Sequence, residues 1–493
     1  MNLYKKLISI TISIVLLFSL TACDGSDSAY IYFYLNEQPE TVDPQTAKSD
    51  VELMLVRNIF EGLLRIDENG KLACGVAESY SLNGLTYTFK LKKDVIWSDE
   101  TPITAHDFVF GFKRAVNPKT KSPFVKRLYS IKNAKAINKG EKDIDTLGVK
   151  ALDNHTLQIT LAKKDKNFEK TLTTSIAMPC NEEFFESSAG RYGLENETTL
   201  SNGSYRFSKW NKEIFGIRLY RNKFYNGDFI AKNAAVFFTM NDKQTPLLAL
   251  KESDADIAFI NSNEIKEAKE NGFITDTYNN IVWYLTISDG FSSDIRKSLI
   301  SLANPKVFSE DLTDGYYKPN SIYPGIVTEK TIKKGITPYN LQSSKDIFAS
   351  AVANLSDKKF PTDVVLYYYD NGFSKNIVTD IVGHWQNQLS AFVNIESVSA
   401  PEVLLPQLKD QTYALSIFPL TANSQSSDEF LENFDVSYSG KSLSEIQEEL
   451  LKSKNITPLF TQDTVIAYGT ELSNVKLDKG DGCIDFAYIV KDN

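Results

Sequence analysis

Between residues 50 and 63 the apolar positions fall at Leu53, Met54, Val56, Ile59, Phe60 and Leu63, the spacing of one helical face, and Asp50 stands where a cap would open the helix. Farther on the period drops to two. Tyr87, Phe89 and Leu91 alternate with Thr88, Lys90 and Lys92, which predicts a half-buried strand, and Leu157, Ile159 and Leu161 repeat the pattern. Thr104 followed by Asp107 has the spacing of a capping box with Asp in place of Glu, opening a helix with Phe108, Phe112 and Ala115 on one face. Residues 217–220 and 236–238 read as further strands. The run DVVLYYY at 363–369 is a strand closed by a turn at Asp370-Asn371-Gly372. A helix carrying Ile377, Ile381, His384, Trp385 and Leu389 follows, then a strand at 393–396; this strand–helix–strand order predicts a βαβ unit. The mixture of periods indicates an α/β protein, without a fixed-period repeat or a long low-complexity linker.

Composition narrows the function classes. With 493 residues, 42% hydrophobic and 24% charged, the chain has the makeup of a globular protein of two or three domains. The net charge is -9, and the only basic bias is at the extreme N-terminus, so no nucleic-acid partner is expected. Apart from Cys23, the cysteines are Cys74, Cys180 and Cys483, far apart and without a CxxC pair. They are expected as buried free thiols, one distant disulfide being the alternative. The three histidines, His106, His155 and His384, form no HxxxH or HExxH pattern, so neither a metal site nor a cofactor is expected. Gly440-Lys441-Ser442 imitates the end of a phosphate loop, but Asp435 stands where its first Gly should be, and the segment reads as a turn. GxSxG and GxGxxG are absent. No nucleophile is paired with a base, and the sequence supports no enzyme.

The first segment is a targeting signal. Lys5 and Lys6 precede a mostly apolar run from Leu7 to Leu20, too short and wrongly flanked for a spanning helix. Leu20-Thr21-Ala22-Cys23 resembles the lipobox of bacterial lipoproteins. That resemblance implies a signal peptide over 1–22 and acylation of Cys23. The protein would then sit on the outer face of the plasma membrane, the periplasmic side if the cell has an outer membrane. Two or three acyl chains hold firmly where a single one holds marginally. An ordinary cleaved secretory peptide is the alternative.

Residues 35–123 carry the most specific stretch. It contains Pro39 with Asp43-Pro44, Phe60-Glu61-Gly62-Leu63, Ala77-Glu78-Ser79, Trp97-Ser98-Asp99, Asp107-Phe108-Val109 and Lys113-Arg114. Further pieces follow at Asn202-Gly203-Ser204-Tyr205, Trp210, 248–257, Trp283-Tyr284-Leu285, Trp385 and Pro458-Leu459-Phe460. Taken in order, these resemble the family 5 extracellular solute-binding proteins, the oligopeptide- and dipeptide-binding subunits of ABC importers. The resemblance implies a two-lobed periplasmic-binding-protein fold of type II-like organisation with an extra domain. Lobe I would comprise 24–73, 199–282 and 461–493, the additional domain 74–198, and lobe III 283–460. Strands crossing between lobes near 278–285 and 457–461 would serve as hinges. Trp97, Phe108 and Trp385 are expected to be core aromatics, and Asp43-Pro44 and Asn202-Gly203 turns.

The same resemblance implies a peptide ligand in the interlobe cleft, delivered to permease and ATPase subunits by a monomeric, membrane-anchored receptor. Glu61, Gly62 and Leu63 would line the cleft, with a structural ion pair as the other role open to Glu61. The family's spacing of Tyr and Phe-Leu, matched here by Tyr413 and Phe430-Leu431, implies a second cleft strand between them, with Pro419, Leu420, Thr421 and Asn423 as ligand-binding positions. Asn423 is a departure, because the family's acid, which neutralises the ligand ammonium, falls there. An amide supplies no counter-charge. Asp428 or Glu429 could compensate, or the ligand could lack a free amine. Glu100 and Ser204 also depart from the family's usual Gly and Pro, and the stretch 431–458 is short by about one helix pair. Nickel, haem or sugar ligands remain open within the fold, the scarcity of His arguing against nickel. A peptide-pheromone sensor or a signalling lipoprotein that does not support transport is the second reading.

Overall fold

The computed structural model describes residues 30–35, 37–211, 216–239, 244–308, 312, 314–328, 330–332, 335–370, 374–398, 414–422, 426–431, 434, 441–453, 456–478 and 482–492. Cys23, Tyr413, Asn423, the 371–372 part of the expected turn, and Asp435 and Gly440 lie outside the described residues, as do the side chains of Asp428 and Glu429.

One mixed sheet runs through the molecule. Its strands in chain order are β1 (Tyr30–Tyr34), β2 (Tyr205–Asn211), β3 (Gly216–Arg221), β4 (Ala235–Thr239), β5 (Ile257–Ile260), β6 (Ile274–Ile287), β7 (Tyr316–Tyr317), β8 (Val365–Tyr369), β9 (Asn394–Val398), β10 (Ala414–Thr421) and β11 (Ile456–Tyr468). The order across the sheet is β9-β8-β10-β6-β11-β5-β1-β4-β3-β2, with β7 on β11. β1 is parallel to β4 and β5, and β8 is parallel to β9 and β10. The βαβ reading of 363–396 therefore holds: β8 and β9 flank the helix Ser374–Leu389 and pair in parallel. β6 and β11, the longest of these strands at 14 and 13 residues, join the two ends of the sheet.

The core divides accordingly. One cluster gathers apolar residues from 31 to 278 with Ile466 and the C-terminal segment 472–489; two others lie on the two faces of the sheet within 281–460. A separate four-stranded antiparallel sheet spans residues 77–160. Trp97, Phe108 and Trp385 are fully buried, as core aromatics should be, and Trp385 Nε1 also donates to Leu299 O at 2.9 Å. Cys74, Cys180 and Cys483 form no disulfide among the described residues; Cys180 and Cys483 are buried as expected, but Cys74 is only half-buried.

Helix α1 (Asp50–Ile59) corrects the expected cap by one position. Ser49, not Asp50, is the N-cap, in a capping box with Glu52, and Asp50 adds negative charge in the first turn. The helix stops at Ile59, and Phe60 is already extended, so Leu63 belongs to the segment beyond. Helix α2 (Ala105–Val116) begins at the capping box read from sequence, Thr104 with Asp107.

Glu52 does more than cap. Its buried carboxylate accepts from the backbone N–H groups of Glu40, Thr41, Lys48 and Ser49, at 2.8 to 3.1 Å. Two turns of irregular chain are thereby fixed around one side chain. Asp43 in the same loop accepts from Gln45 N, a turn as expected, but also takes both guanidinium nitrogens of Arg114 from α2, at 3.0 and 2.6 Å.

Candidate ligand-binding cleft

β6 and β11 lose their regular register over the stretch expected to cross between lobes. Their pairing is regular from Ile274 to Asn279, then shifts between Asn279 and Ile281, and shifts again between Trp283 and Tyr284. A bulge of this kind adds a residue to one strand, bends it and re-aims its side chains. At the first shift the extra residue is Asn280 on β6, and at the second it is Leu459 on β11; Asn280 makes the link across the crossing. Its carbonyl accepts from Ala422 N at 2.8 Å and its Oδ1 from Thr464 Oγ1 at 2.9 Å, so it ties the end of β10 to β11.

Asn279 works on other neighbours. Its Oδ1 accepts from Gly325 N at 2.7 Å, its carbonyl from Ile326 N at 2.9 Å, and its Nδ2 donates to Asp463 Oδ1 at 2.7 Å. Tyr317 Oη donates to the other Asp463 oxygen at 3.0 Å, while Asp463 N and O engage Gly315 and Ser262. Asp463 is buried, and no Lys or Arg pairs with it among the described residues. Burial pushes its carboxyl above the usual range, and the hydrogen bonds from Asn279 and Tyr317 pull back only in part. Gln462-Asp463, an amide beside a carboxylate, interrupt the run TPLFTQDTVIA, which is otherwise apolar or threonine. That break in pattern is the signal by which this cluster was legible and was missed.

β10 supplies the open wall of the crossing. Residues 414–418 are buried, Pro419 and Leu420 half-buried, and Thr421 exposed. On one side the strand pairs with β6 through Thr421; on the other, β8 reaches only from Ala414 to Ile417. The last four residues of β10 therefore have a sheet neighbour on one edge only, among the described residues.

Glu61, Gly62 and Leu63 are placed differently. Glu61 N donates to Asn202 Oδ1 and its carbonyl accepts from Asn202 Nδ2, at 3.0 and 2.8 Å. The Gly62 carbonyl accepts from Val76 N, and the Leu63 carbonyl from Gly75 N and Ala77 N. All three residues are buried. The Glu61 carboxylate accepts from Arg65 at 3.0 Å and from Tyr225 Oη at 2.7 Å, and Arg65 reaches on to Asp485. Burial raises the Glu61 carboxyl, while the Arg65 charge and the Tyr225 hydroxyl oppose the rise. Of the two roles open to Glu61, this is the geometry of a structural ion pair. Asn202-Gly203 is correspondingly more than a turn: Asn202 clamps Glu61, and a Cβ on Gly203 would stand 2.8–2.9 Å from the backbone of Asn58, Ile59 and Phe60.

No cluster of three or more His, Cys, Asp or Glu suited to a metal occurs among the described residues, and no described helix is long and apolar enough to cross a membrane. A single sheet carried between two lobes by two bulged strands is the arrangement of a hinged binding protein. The model of the family "Bacterial extracellular solute-binding proteins, family 5 Middle" matches residues 71–442, about three quarters of the chain. The chain belongs to this family of solute-binding proteins. Its members bind solutes for transport rather than transform them. The oligopeptide-binding protein OppA of Bacillus subtilis is 24% identical over 445 residues, covering 83% of this chain and 78% of its own. Peptide-bound OppA of Listeria monocytogenes superposes with a TM-score of 0.77 at 21% identity, covering 95% of this chain and all of that one. The pheromone receptor PrgZ gives a TM-score of 0.76 at 21% identity, over 94% of this chain and all of PrgZ. The family 5 protein described here thus has the two-lobed fold of these neighbours.

Proposed function

We propose that this family 5 protein is a lipid-anchored extracytoplasmic receptor that binds oligopeptides between its lobes and delivers them to an ABC permease and its ATPase. The observation that carries the reading is the one-sided edge of β10 at the lobe crossing, over Phe418–Thr421. An extended peptide is itself a strand, and adding it to such an edge satisfies its backbone whatever its side chains are. Pro419, Leu420 and Thr421 form the contact strand in this reading, and Asn423 takes the ligand's amino end. Glu61, Gly62 and Leu63 support the lobe I wall from behind. The sequence of Leu20-Thr21-Ala22-Cys23 supports acylation at Cys23 and attachment to the outer face of the plasma membrane, and in this reading the receptor acts as a monomer.

The test is native mass spectrometry of the processed protein isolated from its own envelope, with released ligand sequenced. Co-purified peptides of a few residues are expected. A metal ion, haem or sugar in their place would refute the ligand assignment while leaving the fold. The second reading, a pheromone sensor, is favoured by the amide at position 423 and by the likeness to PrgZ; a single defined peptide in the same experiment would select it.

A further inference from the structure

β1 presents one face of the lobe I sheet through Tyr30, Tyr32 and Tyr34, and among the described residues that face is covered at one end only. Tyr34 is buried beneath the helix Pro246–Lys251 and its neighbours, whereas Tyr30 and Tyr32 are 40% and 38% exposed. The uncovered end continues across β4 and β3. Phe237 lies opposite Tyr32 and Arg218 opposite Phe237, while Tyr220 lies opposite Ala235 beside Tyr30. The rings touch: Phe237 is 5.3 Å from both Tyr30 and Tyr32 and 6.1 Å from Tyr220, centroid to centroid.

Basic groups border these rings. The Arg218 guanidinium lies 5.4 Å from the Phe237 centroid and Lys491 Nζ 5.8 Å from that of Tyr32. On β2, Arg206 stands opposite Tyr220 and Lys209 opposite Arg218. Lys491 pairs with Asp256, but Arg206, Lys209 and Arg218 make no ion pair among the described residues, and the buried Arg206 Nε has no hydrogen-bond partner there. The patch is cationic on a chain whose net charge is -9.

Its position along the chain supplies the occupant. Cys23 precedes Tyr30 by seven residues, so even a fully extended segment reaches only ~25 Å. A chain acylated at Cys23 keeps this sheet face close to the bilayer. Tyrosine rings with Arg and Lys are the side chains that settle at headgroup level, and basic groups there attract anionic lipid. We infer that the face formed by Tyr30, Tyr32, Phe237, Tyr220, Arg218 and Lys209 rests on anionic lipid headgroups and orients lobe I on the membrane. This rests on the acylation of Cys23 proposed above and is independent of which ligand the cleft holds.

The experiment uses the acylated full-length product reconstituted into vesicles of phosphatidylcholine alone or mixed with phosphatidylglycerol, with hydroxyl-radical footprinting of side chains. Both vesicle types carry the anchor, so their difference reads the face alone. Tyr30, Tyr32, Tyr220 and Phe237 are expected to lose most of their labelling on the anionic vesicles and to regain it at high salt. Phe392, exposed on lobe III, serves as the unchanged control. The double variant Lys209→Glu with Arg218→Glu, at two exposed positions, should remove the protection with melting temperature and peptide binding unaltered. Equal labelling on both vesicles overturns the proposal, as does protection that appears only when permease is present, which would make the partner a protein. Failure to float with either vesicle overturns it through the anchor, leaving peptide binding to be judged separately.

Discussion

Arg65 is the place where stability and ligand contact can be told apart. Its guanidinium holds Glu61 at 3.0 Å and also Asp485, and lies 3.9 Å from the ring centroid of Phe229. The Glu61 and Asp485 side chains are only 2% and 9% exposed. Arg65→Met keeps most of the methylene packing and removes the charge that both carboxylates face. Stripping one partner from a buried pair costs about 3–5 kcal/mol, and losing the ring contact about 1 more. Tyr225 still donates to Glu61, and proton uptake by Glu61 relieves part of the loss, so about 4 kcal/mol is expected. At ~2–4 °C per kcal/mol for a unit of this size, the lobe I transition should fall by about 10 °C in scanning calorimetry. Glu61→Gln is the contrasting change. It retains the acceptor for Tyr225, leaves Arg65 its Asp485 partner and lightens the burial penalty on the carboxylate. It should cost about 1 kcal/mol and leave peptide affinity unaltered. In the double variant the two losses should fall short of additive by about 1.5 kcal/mol. The reasoning is refuted if Glu61→Gln weakens peptide binding with no change in melting, for Glu61 would then face the ligand.

Three further outcomes are expected. Asp463→Asn should match or exceed the parent's melting temperature near neutral pH. The folded carboxyl is raised above its unfolded value, so its ionised form weighs against folding above the raised value, and this burden fades as pH falls toward about 4; the variant's advantage should fade with it in melts across that range. Glu52→Ala removes the acceptor of four backbone N–H groups and should cost about 3 kcal/mol by urea unfolding, a loss under ~0.5 kcal/mol showing that water replaces the carboxylate. Asn423→Asp should tighten binding of free-amine peptides about tenfold by calorimetry and leave N-acetylated peptides unchanged; equal effects on both would remove position 423 from the amino-end site.

Local rules determined much of this protein from sequence alone. The Thr104–Asp107 box, the alternating strands and the 363–396 βαβ unit depend on residues within a few positions of one another, and their chemistry admits few alternatives. The order of motifs over most of the chain carried the family and its two-lobed fold. What the tertiary structure decided depends on partners far apart in sequence. From sequence Glu61 is open to either a cleft contact or a structural ion pair, and only the structure brings Asn202, Arg65 and Tyr225 onto its backbone and carboxylate. Gln462-Asp463 marks a polar break in its strand, but only a bulge between strands almost two hundred residues apart shows that Asn279 and Asn280 are the partners it meets. Among the described residues, the open edge of Phe418–Thr421 exists because β8 stops short, and the uncovered tyrosines of β1 because a helix shields only Tyr34. A residue's pattern records which way it points; burial, pairing and free edges are properties of what arrives from elsewhere in the chain.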